Sequence, residues 1–251
     1  MRWKTICFDL DNTLFSHEAA FEKAIKNCYE KTVTLWKKDK QIKHAPSTDE
    51  WFFLFKQNSD RFWRQFEQKT IDRRTYRRLR YQQTMLAFNL PYSDTEADQF
   101  HEQYNQTVYE FTEPYEGLAS LLEFLQENGI KLGIITNGPA DTQYEKIKRL
   151  GISQYITSEH IFISEQLTVA KPNPAIFNYA LTQLQHQPQE GKLYVGDSWE
   201  QDIIGARHAG WEAIYMNTRN VDPHSTEPVV ATCHTLTEVK NIIERELNLK
   251  G

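Results

Sequence analysis

The chain has 251 residues, 39% of them hydrophobic and 25% charged, with few glycines and prolines and a formal charge of −5. That length accommodates one large domain or two modest ones around a sizeable core, and the negative balance argues against general attraction to nucleic acid or anionic membrane. No apolar run approaches the ~20 residues of a membrane span, and the opening "MRWKTICFDL" lacks a signal peptide's apolar core and cleavage site, so a cytoplasmic protein is expected.

The first element is a short strand at residues 4 to 10, "KTICFDL", which ends in Asp9 with Asp11 just beyond. Cys7 inside it is a small core residue. With Cys28 and Cys233 it makes an odd, widely spaced set that supports neither a disulfide framework nor a zinc knuckle. From Ser16 to about Phe111 the pattern is helical. Phe21, Ile25, Cys28, Thr32 and Leu35 recur at three- and four-residue steps and make one helix face. Residues 61 to 81, "RFWRQFEQKTIDRRTYRRLRY", are basic and interleaved with aromatics; Arg73, Arg77 and Arg80 share a helical face, Arg74 and Arg78 the next. A solvated face is the first reading of that segment, a hold on an anionic or aromatic substrate the second. Ser93 and Glu96 form a capping box, and Phe100, Tyr104, Val108 and Phe111 continue that helix's inner side.

After "EPYEGL" the character changes. Leu118, Leu121, Leu122 and Leu125 mark a helix ending at Gly129, and "KLGIIT" is a buried strand. A helix with Ile147 and Leu150 inward follows, then strand "HIFIS", a helix at 174 to 184, strand "KLYVG", a helix at 200 to 208 and strand "EAIYM". Near-continuous apolar strands alternating with helices indicate a parallel sheet covered on both faces. The expected fold is α/β, a doubly wound parallel sheet formed by residues 1–15 and 113–251, with an all-helical insertion at 16–112.

Ligands of open parallel sheets bind outside the carboxyl ends of the strands, and the unusual polar residues fall there. Strand one delivers Asp9 and Asp11; "GIITNG" delivers Thr136, Asn137 and Gly138. Lys171 follows "HIFIS" by a short loop, and "LYVGDSWEQD" delivers Asp197 and Ser198, with Asp202 about one helical turn on. Each group suits phosphoryl transfer. A carboxylate such as Asp9 can attack phosphorus, and a second, Asp11, can protonate the leaving alcohol and later take a proton from water. Magnesium takes oxygen ligands, so Asp9, Asp197 and a nearby carbonyl would suffice. Thr136, the amides after it including Asn137, and Lys171 can hold phosphate oxygens.

"DLDNT", "ITN", "KP" and "GDSWEQD" together resemble the motif series of the haloacid dehalogenase superfamily of phosphatases: DxDx[TV], a strand-end Thr or Ser, a Lys, and an acidic GDxxxxD. The resemblance implies Asp9 as nucleophile, Asp11 as general acid and base, and Thr136 and Lys171 at the phosphate. It puts Mg2+ on Asp9, Asp197 and the carbonyl of Asp11, with Asp202 and Ser198 supporting them or Asp202 as an alternative ligand. The helical insertion looks like the family's mobile C1-type cap, which closes over the substrate. In detail the motifs are similar to the branch holding pyrimidine 5′-nucleotidases and N-acylneuraminate-9-phosphatase. This makes a small phosphorylated metabolite the expected partner, a nucleoside monophosphate first and a sugar phosphate second, with no nucleic-acid polymer and no membrane. Three other readings compete. A metal-free dehalogenase would not need Asp11 or the acids at 197 and 202. A phosphomutase shares the chemistry but moves the phosphate. A phospho-accepting signalling module would be about half this length, without the insertion.

Overall fold

The computed structural model describes residues 2–39, 42–223 and 225–248, apart from the side chains of Glu67 and Asn248. Residues 1, 40, 41, 224 and 249–251, which fall in the spans expected above, lie outside the described residues. In chain order the elements begin with β1 (Thr5–Phe8), α1 (His17–Lys38), α2 (Thr48–Glu67), α3 (Arg73–Ala87), α4 (Asp94–Thr107) and α5 (Leu118–Glu127). Then come β2 (Lys131–Thr136), α6 (Ala140–Arg149), β3 (Ile161–Ile163), α7 (Ser164–Leu167), α8 (Pro174–Gln183) and β4 (Lys192–Gly196). The chain closes with α9 (Gly205–His208), β5 (Glu212–Met216), β6 (Ala231–Cys233) and α10 (Leu236–Asn248). It divides into two compact units, Met1–His17 with Thr112–Gly251, and Glu18–Phe111.

In the α/β unit the six strands are all parallel, in the order β3-β2-β1-β4-β5-β6. The order reverses beside β1, between β2 on one side and β4 on the other, which opens the crevice where such sheets bind ligands. Every residue of β1 is buried, as a central strand covered on both faces requires. Cys7 pairs with Gly133 and Tyr194 in the two flanking strands. One face packs Cys7, Ile135, Phe162, Phe177, Tyr194 and Trp211 into a single cluster. Within it the Phe177 and Tyr194 rings meet edge to face at 5.1 Å.

Several elements differ from the sequence reading. β1 is four residues rather than seven, because Asn12 takes φ 60° and the amides of Thr13 and Leu14 turn back onto the Leu10 carbonyl. This leaves Asp9 at the strand's end. The helix expected over 200 to 208 opens as a π-helical turn at Trp199–Ile204, with the amides of Asp202 and Ile203 both donating to the Ser198 carbonyl. β6 and α10 lie past "EAIYM", the last element expected from the sequence. In α10 the buried Leu236, Val239 and Ile243 supply the periodic face that was there to be read.

The helical unit is built on aromatic packing. The Trp51 ring lies 4.3 Å from Tyr29 and 4.9 Å from Phe55, nearly parallel to both. α2 opens with a complete capping box, in which Ser47 Oγ accepts from the Glu50 amide at 3.2 Å and Glu50 Oε2 accepts from the Ser47 amide at 3.0 Å. The α1 face differs at its end: Leu35 is 59% exposed and Trp36 is buried instead. Three turns of about 3.6 residues bring position 36, not 35, back over Ile25. Among the described residues, no helix is long and apolar enough to cross a membrane.

Candidate phosphate and metal site

Asp9 is 5% exposed, and both its carboxylate oxygens are engaged. Oδ1 accepts from Lys171 Nζ at 2.6 Å and Oδ2 from Thr13 Oγ1 at 3.0 Å. The same Lys171 ammonium donates to Asp202 Oδ1 at 2.6 Å and to the Tyr194 hydroxyl at 3.1 Å. That hydroxyl donates onward to the Ile135 carbonyl, so its lone pairs face the ammonium. Asp202 Oδ2 accepts from the Ser198 amide at 2.9 Å. Gly196, the last residue of β4, makes room for Asp202: a Cβ there would lie 2.5 Å from the Asp202 Cβ and Cγ. Asp197, beside it, accepts from Arg219 Nη2 at 2.6 Å. One carboxylate oxygen from each of Asp9, Asp197 and Asp202 falls within 4.8 Å of the others, and all three residues are buried.

Three buried carboxylates thus face one ammonium and one guanidinium. Burial pushes Asp9 up to about 7, with Asp202 and Asp11 adding to it and Lys171 opposing. Burial, Asp9 and Asp202 push Asp197 up to about 8 against Arg219 and Lys171. Lys171 is raised, since the attraction of Asp202 and Asp9 outweighs its own burial. An all-oxygen donor set that is short of positive charge fits a small, hard divalent cation.

Asp11 belongs to a second group. Its carboxylate accepts from Lys146 Nζ at 2.7 and 3.0 Å and from Gln143 Nε2 at 2.9 Å, and His17 Nδ1 lies 3.4 Å away. Burial works against ionisation, but the Lys146 and His17 charges and the bonds from Lys146 and Gln143 outweigh it and hold Asp11 down at about 2. Gln143 Nε2 also donates to Thr136 Oγ1 at 2.6 Å, which ties the acid to the hydroxyl at the end of β2. As that hydroxyl accepts from Gln143, its own proton is left to point elsewhere. Gly138, at φ 146°, passes close over Gln143, and its amide donates to Ser164 Oγ.

The structure therefore brings Asp9, Lys171, Asp197 and Asp202 into one cluster and links Asp11 with Thr136 in another. Asn137 holds the Lys171 loop, accepting from the Lys171 amide and donating to its carbonyl, both at 3.0 Å. Its side-chain amide also reaches Gln201. Ser198 Oγ caps the π-turn at the Gln201 amide. Trp199 is packed edge to face on Tyr215. Sequence reasoning passed over Gln143, Lys146, Tyr194 and Arg219. The first two carry a signal: Gln143, Lys146, Ile147 and Leu150 sit at i, i+3, i+4 and i+7, so two polar residues occupy the inward stripe of α6.

A family model described as haloacid dehalogenase-like hydrolase matches residues 3–210. The pyrimidine 5′-nucleotidase YjjG of Escherichia coli strain K12 is 28% identical over 242 residues, 95% of this chain and 98% of its own. The glyceraldehyde 3-phosphate phosphatase of Pyrococcus abyssi is 31% identical over 213 residues, covering 85% of this chain and 81% of its own. The crystal structure of the HAD-hydrolase YfnB of Bacillus subtilis bound to magnesium superposes with a TM-score of 0.73 at 25% identity, over 97% of this chain and all of that one.

Proposed function

This chain belongs to the haloacid dehalogenase-like hydrolases, and we propose that it is a magnesium-dependent phosphatase of small phosphomonoesters acting through an aspartyl phosphate on Asp9. The observation that carries the reading is the buried trio Asp9, Asp197 and Asp202 gathered around Lys171 at the switch point of the sheet. Asp9 and Asp197, with the Asp11 carbonyl and Asp202 as further oxygen donors, are the residues to hold Mg2+. The ion supplies the charge neutralisation that lets a carboxylate approach an anionic phosphate. An Asp9 oxygen bonds to phosphorus as the bond to the ester oxygen breaks, and the leaving oxygen takes its proton from Asp11. With Lys146 in contact Asp11 is held in its base form, the form that the second half uses, and its acid role in the first half requires that contact to loosen. In the second half Asp11 takes a proton from water, whose oxygen attacks the phosphorus and releases Asp9 and inorganic phosphate. Lys171 and the Thr136 hydroxyl, with the backbone amides after it, hold the phosphate oxygens, and Asn137 fixes the Lys171 loop.

The substrate reading takes a pyrimidine nucleoside monophosphate first, since the nucleotidase relative spans nearly all of both chains. A triose or other sugar phosphate comes second, from the phosphatase relative. The helical unit acts as the cap that selects among them. Phosphate release measured over a panel of nucleotides and sugar phosphates tests the reading. Turnover is expected with Mg2+, none in excess chelator, and none in Asp9→Asn with its circular dichroism unchanged. Normal turnover by Asp9→Asn removes the nucleophile assignment, and full activity in chelator removes the metal.

A further inference from the structure

The basic segment of α3 is not used by the chemistry above, and its arginines are sorted. Arg74 and Arg78 are neutralised by α4: Arg74 bonds Asp98, and Arg78 bonds both Asp94 and Asp98. The other face, Arg73, Arg77 and Arg80, forms no ion pair among the described residues, although Glu102 lends Arg77 some negative charge. Along this face exposure falls from Arg73, which is exposed, through Arg77, which is intermediate, to Arg80, which is 5% exposed. The guanidinium of Arg80 lies 4.8 Å over Tyr76, 5.1 Å over Phe55 and 5.7 Å over Phe21. Among the described residues it donates only to neutral groups, the Tyr76 hydroxyl at 3.1 Å and His101 Nδ1 at 3.3 Å. Each aromatic face stabilises a desolvated cation by about 2 kcal/mol, so the three faces offset much of the several kcal/mol that burying a charge costs, but they give its N–H groups no acceptor.

His101 sharpens the imbalance. It is 8% exposed, and burial together with Arg80, Arg77 and Arg73 pushes it down to about 2, so the ring is neutral. Nδ1 accepts from Arg80, which puts the ring proton on Nε2, and that buried nitrogen has no hydrogen-bond partner among the described residues. Among the described residues the cluster is therefore rich in donors and has no anionic acceptor: three of the five Arg80 N–H groups, the His101 Nε2–H and the half-buried Arg77 fork are without one.

We infer that the helical unit contains an oxyanion-binding site of its own, with Arg80 at its base, His101 beside it and Arg77 at its entrance, for a phosphate or carboxylate group of a small metabolite. A planar guanidinium receives either oxyanion with two parallel N–H···O bonds. The unused Arg80 donors gain the acceptors they lack, and the buried charge gains its counter-ion. The site stands whether or not the chain hydrolyses phosphate.

The test is NMR of the Asp9→Asn variant without metal, following the Arg77 and Arg80 Nε–H signals as inorganic phosphate, malonate or sodium chloride is added. Both signals are expected to move together and saturate with phosphate or with malonate, which separates the two sources, and to ignore chloride at equal ionic strength. Arg77→Met, at a half-buried position, is expected to weaken that apparent affinity about tenfold, the size of one charge-assisted contact. Arg80→Met is expected to abolish it, and the Arg77 signal in that variant reports whether the unit remains folded. Signals that stay still, or drift without saturation as they do with chloride, overturn the site.

Discussion

His101 shows how one side chain records the balance of its surroundings. Burial and the charges of Arg80, Arg77 and Arg73 act on it, with Asp98 opposing them, and its folded value lies far below the ordinary 6.5. The unfolded chain therefore binds a proton that the folded chain does not, at every pH between about 6.5 and about 2. The penalty is absent above 6.5 and grows as pH falls, by about 1.4 kcal/mol per pH unit. His101→Gln, which keeps an acceptor for Arg80, is expected to lose about 2 kcal/mol less stability than the wild type between pH 7 and pH 5. Urea midpoints at the two pH values check this; parallel losses in both proteins would mean that His101 is protonated in the fold. At the same scale, Gly196 has its identity fixed by Asp202, 2.5 Å from where a Cβ would stand.

Among the elements, the helices that matter do so through their faces and ends. α6 turns Gln143 and Lys146 inward beside Ile147, and two polar residues on a buried stripe are stable because Asp11, Thr136 and the Asn137 carbonyl accept from them. The π-helical turn at Trp199–Ile204 widens the helix start by one residue and carries Asp202 back over Gly196 to Lys171. α2 depends on its N-terminus. Ser47→Ala removes the side-chain acceptor for the Glu50 amide, and the expected cost is about 1 kcal/mol. Chemical unfolding followed by the far-ultraviolet signal measures it. A loss below a few tenths would show that water replaces the cap at no cost.

At the scale of the whole molecule, the sheet order decides what meets. Asp9, Thr136 and Asp197 come from sequence positions more than a hundred residues apart in part, yet β2, β1 and β4 are neighbours and all point the same way. If the cluster takes up Mg2+ only when folded, saturating metal stabilises the protein, by about 2.7 kcal/mol at a hundred times the dissociation constant. A rise in melting temperature with Mg2+ is expected for the wild type and not for Asp197→Asn. Equal rises in both would place the ion elsewhere. Because the chain has two compact units, such melts are to be followed with probes in each unit.

The sequence by itself determined the strand-helix alternation, the helical insertion and the series Asp9, Asp11, Thr136, Lys171 and Asp197. These are local signals: apolar period, and polar residues placed where a buried strand ends. It also sorted the α3 arginines into two faces, since a helix repeats every 3.6 residues whatever surrounds it. Tertiary structure decided which charges meet. That Lys171 bridges Asp9 and Asp202, that Lys146 and Gln143 hold Asp11, that Arg219 answers Asp197 and that Arg80 has no acid paired with it among the described residues depend on chain segments brought together by the parallel sheet and the packed helices. Hydrogen bonds and ion pairs act over a few ångströms, and nothing in the order of residues encodes a distance of that kind between segments so far apart.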